Sequence, residues 1–216
     1  NKKWNSTDAN NDITIVVNAE EVLAPVTFVA KIGEVGYTTV NEALSAAQTG
    51  DTVEIYAGTY NQGLSVNKDI TVIGETDANG NNLVTFNGKL SVTGNGATVK
   101  NINVNNGTSS AGYIGAKDVL IEGCEVVGGN GFRSCYTSGI VTFKDSTIKG
   151  NVYGIHFDAS AGGNIVIENC VVTGWTSFAR TSEKVTIKDS EFAEGYYNKL
   201  RFYQNATIEN TEFNPS

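Results

Sequence analysis

The chain has 216 residues, of which 40% are hydrophobic, with 24 glycines, two prolines and no methionine. That length fits one elongated domain or two small ones. The formal net charge of -8 argues against nucleic acid and anionic membranes as partners. No apolar run reaches the roughly 20 residues needed to span a bilayer, so membrane insertion is not expected. The missing signal peptide and missing methionine suggest a processed product or a trimmed chain.

In chain order, residues 1–35 hold two strand-like runs, "DITIVVN" and "PVTFVAKIG", read as an N-terminal extension or lead-in. The only clear helix covers about 38–49, "TTVNEALSAAQT". Thr39 and Glu42 stand at capping-box spacing. Val40, Ala43, Leu44 and Ala47 share one face, and Gly50 suits the helix end. Residues 36–216 are read as a solenoid that opens with this helix as its cap.

From residue 96 onward one phrase recurs: "GATVKNINV", "DVLIEGCEV", "IVTFKDSTI", "NIVIENCVV", "KVTIKDSEF", "NATIENTEF". Its central residues are Val99, Ile121, Phe143, Ile167, Ile187 and Ile208, at steps of 22, 22, 24, 20 and 21. A period near 22 with one strand per unit indicates a solenoid. Residues two before and five after each centre are apolar and point inward with it. Two after each centre stand Asn101, Gly123, Asp145, Asn169, Asp189 and Asn210, the residue types that most readily adopt positive φ. One such residue bends the strand and shifts its inside–outside parity. The next inward column is then Ile102, Cys124, Ser146, Cys170, Ser190 and Thr211. The pattern predicts an all-β, single-stranded right-handed parallel β-helix with an N-terminal capping α-helix.

Just after each centre the outward charge alternates: Lys100, Glu122, Lys144, Glu168, Lys188, Glu209. Rungs about 4.8 Å apart stack each charge between two opposite ones, which reads as register control. An outward Thr column (Thr98, Thr142, Thr186, Thr207) is interrupted by Leu120 and Val166, which argues against ice binding. Cys124 and Cys170 sit two rungs apart with Ser146 between, too far for a disulfide. Cys135 is expected in a loop.

The stretch "YTTVNEALSAAQTGDTVEIYAGTY" followed by "LSVNKDITVIGE" resembles the start of pectin-lyase-like β-helix proteins, pectin methylesterases among them. The resemblance covers about 40 residues and implies a fold, not an activity. Methylesterases of that group use two Asp and an Arg facing a groove, with Gln residues beside them. Their Gln-Asp-Thr and Asp-Phe-Ile-Phe-Gly segments have no counterpart here. The Asn-Thr-Asp, Asp-Asp and Gly-His-Gly blocks of related hydrolases are missing as well. No catalytic residue, cofactor or metal ligand is carried over, and the enzyme question is left leaning to no.

Aligning "GFR", "GIH", "SFA" and "KLR" predicts an inward column of Phe132, Ile155, Phe178 and Leu200. Arg133, His156, Ala179 and Arg201 then point outward. Arg180, Tyr197 and Tyr203 lie near them in sequence, as do Tyr153, Trp175 and Asp158. Arginines and aromatic rings on a flat sheet suit sugars, by stacking and by hydrogen bonds to hydroxyls or carboxylates. The plainer reading has the rings packed in loops and the arginines offsetting an acidic surface.

Two functions remain. One is a non-catalytic structural or adhesive module of a bacterial cell-surface protein or a phage particle, with a polysaccharide or host-surface glycan as candidate ligand. It implies an extracellular, cell-surface or virion location, and a neighbouring domain or oligomer contact over the uncapped C-terminal end. The other is a lyase or esterase acting on an acidic polysaccharide.

Overall fold

A computed structural model describes residues 3–6, 13–16, 26–157, 163–178, 184–193, 200–202 and 205–214. The chain winds through about seven turns of a parallel β-solenoid with three faces. The first face stacks the repeat strands: Thr52–Ile55, Thr71–Gly74, Thr98–Lys100, Val119–Glu122, Ile140–Lys144, Asn164–Glu168, Lys184–Lys188 and Ala206–Glu209. The second face follows the bend and the third face closes each turn. At the fifth and sixth rungs these two faces are continuous, because Thr147–Phe157 and Val171–Phe178 run through both.

The repeat alignment is the register of the first face. Val99, Ile121, Phe143, Ile167, Ile187 and Ile208 are directly paired from rung to rung. The first five are 0% exposed. All six residues expected at the bend have positive φ, between 42° and 63°. The bend amide donates forward to the next rung, as in Asn101 N–H to the Glu122 carbonyl and Asp145 N–H to the Glu168 carbonyl, both 3.0 Å.

The column after the bend completes the corner. Cys124 N–H donates to Ser146 Oγ at 3.1 Å, and Cys170 N–H to Ser190 Oγ at 3.1 Å. Those two hydroxyls in turn donate to the Lys144 and Lys188 carbonyls, at 2.6 and 2.7 Å. A buried amide with no partner would cost about 1–3 kcal/mol, so Ser at alternate rungs has a physical reason. Outside the corner, Asn169 donates to Asp145 at 2.7 Å and Asn210 to Asp189 at 2.6 Å, tying neighbouring bends together.

The charge ladder is in register at every step from Lys100 to Glu209. Its contacts are looser than its register. Among the described residues it closes as an ion pair at Lys100–Glu122, 2.6 Å, while Lys188 turns toward Asp189 at 3.8 Å. Ile73 breaks the column one rung earlier, and Glu54 beyond it pairs with Lys31 at 3.1 Å.

The helix is Val40–Ala46, shorter than the expected 38–49. Its capping box is formed: Glu42 N–H donates to Thr39 Oγ1 and Thr39 N–H to the Glu42 carboxylate. Val40, Ala43 and Ala47 are at most 1% exposed, and Leu44 packs against the core. At its other end Lys68 Nζ donates to the carbonyls of Leu44, Ser45 and Ala47 at 2.8–2.9 Å. A cation there also suits the helix dipole. Before the helix, Ala30–Ile32 adds to the first face antiparallel to Thr52–Ile55, with Val35–Tyr37 beyond it. Lys3–Ser6 and Ile13–Val16 form an antiparallel pair.

All three cysteines are reduced and buried. Cys135 ends the strand Asn130–Cys135 with 0% exposure and does not lie in a loop. Ser134, at φ 55°, adds an extra residue to that strand and turns Cys135 inward. Burial pushes the Cys124 thiol up to about 12 and the Cys170 thiol up to about 11.

Two outcomes follow. Lys144→Glu puts three acids in a row on the first face, so it should lower stability by about 0.5–1 kcal/mol, more at low salt. A melt unchanged at low ionic strength would remove the ladder's role. The two thiols act through pH. Each has a folded pKa above its reference value of 9.0, so the folded state holds the proton longer. Their contribution is intact below pH 9 and is lost as pH rises toward 11–12, at about 1.4 kcal/mol per unit and thiol. Denaturant titrations of the wild type and Cys124→Ala at pH 8 and 10 should show a smaller alkaline loss in the variant.

Candidate glycan-binding face

The outer side of the third face is where the regular repeat gives way. Phe132 pairs with Ile155 as expected. The next step differs from the sequence alignment. Tyr153 pairs with Trp175 and His156 with Ser177, so three residues on one strand face two on the next. This bulge brings Thr176, not Phe178, beside Ile155, whose N–H donates to Thr176 Oγ1 at 3.2 Å. Thr176 in turn pairs with Leu200. Phe178 falls one column on, paired with Phe157 and stacked on Phe202 at 5.6 Å. The column next to it in register is therefore His156, Ser177 and Arg201, with Arg133 one rung before His156 and Ser177 itself buried at 5% exposure.

Local sequence explains how side chains gather here. Ser134, in its left-handed conformation, leaves Arg133 and Ser134 both exposed before Cys135 turns in. Bulges re-aim neighbouring side chains. The Arg133 guanidinium lies over the Tyr153 ring, 5.2 Å from its centroid. Tyr153 is stacked on Trp175 at 5.1 Å and 28°. The His156 ring is 4.5 Å from Tyr153 and 5.9 Å from Trp175. Tyr153, His156 and Trp175 are half-buried and Arg133 is exposed. Gly154 lets the two strands approach at the bulge, because a Cβ there would meet Val172 Cγ1 at 2.7 Å and the Thr173 carbonyl at 2.8 Å.

Of the residues singled out in the sequence, Arg133 and His156 are therefore in one cluster. Arg201 is exposed in the same column, two rungs from His156, about 9.6 Å. Arg180, Tyr197, Tyr203 and Asp158 lie outside the described residues. Tyr153 and Trp175 were only near neighbours in sequence, and the rung pairing makes them the centre of the cluster. Their signal was two aromatics in outward positions of consecutive rungs.

Among the described residues no three His, Cys, Asp or Glu side chains are grouped to hold a metal ion. No described helix is long and apolar enough to cross a membrane.

The solenoid is similar to the crystal structure of the pectin methylesterase from Aspergillus niger in deglycosylated form, with a TM-score of 0.54 and 18% identity. The match covers 84% of this chain and 84% of that one. The fold is the pectin-lyase-like right-handed parallel β-helix. A penultimately deglycosylated form of the same enzyme matches over 85% of this chain at 19% identity, with a TM-score of 0.49. No protein-family model and no curated protein matches the chain. At such identities the likeness carries the β-helix and no residue role.

Tyr153 is the keystone of the cluster, touching Arg133, His156 and Trp175. Tyr153→Ala should open Trp175 to water and shift its fluorescence to the red, with Trp175→Phe separating it from Trp4. An unshifted spectrum would mean that the stacked pair does not form in solution.

Proposed function

We propose that the chain binds an acidic polysaccharide on the outer side of its third face. The observation behind this reading is the Arg133–Tyr153–Trp175–His156 cluster. The half-exposed outer edges of the stacked rings offer an apolar surface to a sugar. The guanidinium beside them suits a carboxylate, which it holds with paired hydrogen bonds. On a chain of net charge -8, such a cationic spot selects its ligand by local rather than overall charge. Arg201 extends the cationic row. An extracellular, cell-surface or virion setting, with a host-surface or environmental glycan as partner, belongs to this reading.

A second reading is that the chain also acts on its polysaccharide, as an esterase or lyase. The likeness to a pectin methylesterase over 84% of both chains favours it over a purely structural role in a surface protein or phage particle. The last described rung adds one further partner to the proposal. Ile208 and Phe213 are 42% and 43% exposed there. We read that rim as a contact for a neighbouring domain or a second copy.

One preparation tests both readings. On a glycan array, binding should be confined to acidic polysaccharides and be weakened by Trp175→Ala and Arg133→Ala. No binding to any glycan would overturn the proposal. Release of methanol or of unsaturated ends, abolished by substitutions in this cluster, would establish the second reading.

A further inference from the structure

Resting on that reading, we propose that the ligand is an extended chain lying along the solenoid axis, held at a second docking point formed by Lys89, Tyr113 and Tyr136. These residues are on the same face, nearer the N-terminal cap. Tyr113 follows the outward column of Ser91. Lys89 Nζ sits over its ring, 4.8 Å from the centroid. Tyr136 approaches edge-on at 6.5 Å and 66°. It is 47% exposed, although large aromatic side chains are usually covered.

The second point is built by the same local device as the first. Ser134 inserts its extra residue between Phe132 and Tyr136, so that Tyr136 stands opposite Gly115. A Cβ at Gly115 would lie 2.7 Å from the Tyr113 hydroxyl, so glycine leaves room for that ring. The strand Asn130–Cys135 and the residue after it thus serve both points, with Arg133 toward Tyr153 and Tyr136 toward Tyr113.

The repetition fixes the ligand's direction. Both points pair a cation with a half-exposed aromatic couple, the signature expected of an acidic sugar. Tyr113 and Tyr153 lie two rungs apart, and Lys89 to Trp175 spans four rung steps, about 19 Å. A chain crossing the strands at right angles meets successive rungs, and one sugar residue is close in length to one rung step. A chain running along a strand would meet one point only. Each contact is weak alone, and linking two in one ligand raises affinity through effective concentration.

Binding of uronic-acid oligosaccharides, from disaccharide to octasaccharide, tests this by NMR titration and calorimetry. Affinity should rise with length until both points are spanned. Tyr136→Ala and Lys89→Ala should each weaken the octasaccharide about tenfold and leave the disaccharide unchanged. Trp175→Ala should weaken both. Thermal melts check that each variant is folded, and Lys89 and Tyr136 are both exposed. Wild-type octasaccharide affinity in Tyr136→Ala and Lys89→Ala, with a loss in Trp175→Ala, overturns the second docking point and leaves the proposed function standing. Loss of neither length in any variant, or no binding at all, overturns both.

Discussion

The left-handed corner is the constraint on which the rest of the molecule depends. One residue at positive φ turns the strand and moves the inward positions by one. L-residues resist that conformation by about 1–2 kcal/mol, and Asn, Asp and Gly resist it least. The corner therefore dictates Asn101, Gly123, Asp145, Asn169, Asp189 and Asn210. It also takes one amide out of the regular ladder, and the Ser146 and Ser190 hydroxyls restore its partner at two rungs. A polar column inside an apolar solenoid is thus part of the corner's hydrogen bonding, not a defect in the core. The cysteines in the same column use the same space. Their sulfurs lie 3.4 Å from the Glu122 carbonyl and 3.2 Å from the Glu168 carbonyl.

Regularity on one side leaves freedom on the other. The corner and the first face hold register: apolar centres stack inside, and alternating charges discourage a one-rung slip outside. Exposed ion pairs add only about 0–1 kcal/mol each, so the ladder's value lies in rejecting wrong registers. The third face is under no such repeat. Its strands accept bulges at Ser134 and between Tyr153 and His156, where register shifts from one rung to the next. Those irregularities cost ladder hydrogen bonds and gather Arg133, Tyr153, His156 and Trp175. A solenoid can carry such a face because each rung is held by its neighbours through the other two.

Legibility in the sequence follows the same division. The first face could be read to the residue, because a two-residue period plus an obligatory bend leaves columns with distinct chemistry. The cap was legible from Thr39 and Glu42, three residues apart. Lys68 was not, because its bonds to Leu44, Ser45 and Ala47 join residues 21 or more apart in sequence. On the third face the alignment failed by two residues at Phe178, whose expected place beside Ile155 is taken by Thr176. "SFA" looks like "GIH", and nothing in either string reveals that Gly154 and Ile155 face a shorter stretch on the next rung. Cys135 was misplaced for a related reason: a serine at positive φ is uncommon, so Ser134 gave no warning of a bulge. Arg133 and His156 were found by aligning "GFR" with "GIH", whereas Tyr153 and Trp175 gained their meaning only from being paired.

The same division explains why likeness to an esterase can coexist with an unmatched set of catalytic segments. Similarity at 18% identity is carried by what a β-helix must have: inward apolar columns, corners and a covered end. Chemistry on such a scaffold resides in a few outward side chains, which the core does not constrain. A stacked ring pair set by rung spacing is rigid in one direction and adaptable in the other. Its distance along the axis is fixed by backbone hydrogen bonds, while its breadth depends on bulges. A ligand with a repeat along its own length matches the fixed direction without any movement of the protein, which lowers the entropic cost of binding. A compact ligand gains nothing from that order. The physical character of the scaffold thus suits polymers before any particular residue is considered, and it is on the proposed reading that the aromatic and cationic side chains narrow the choice to acidic ones.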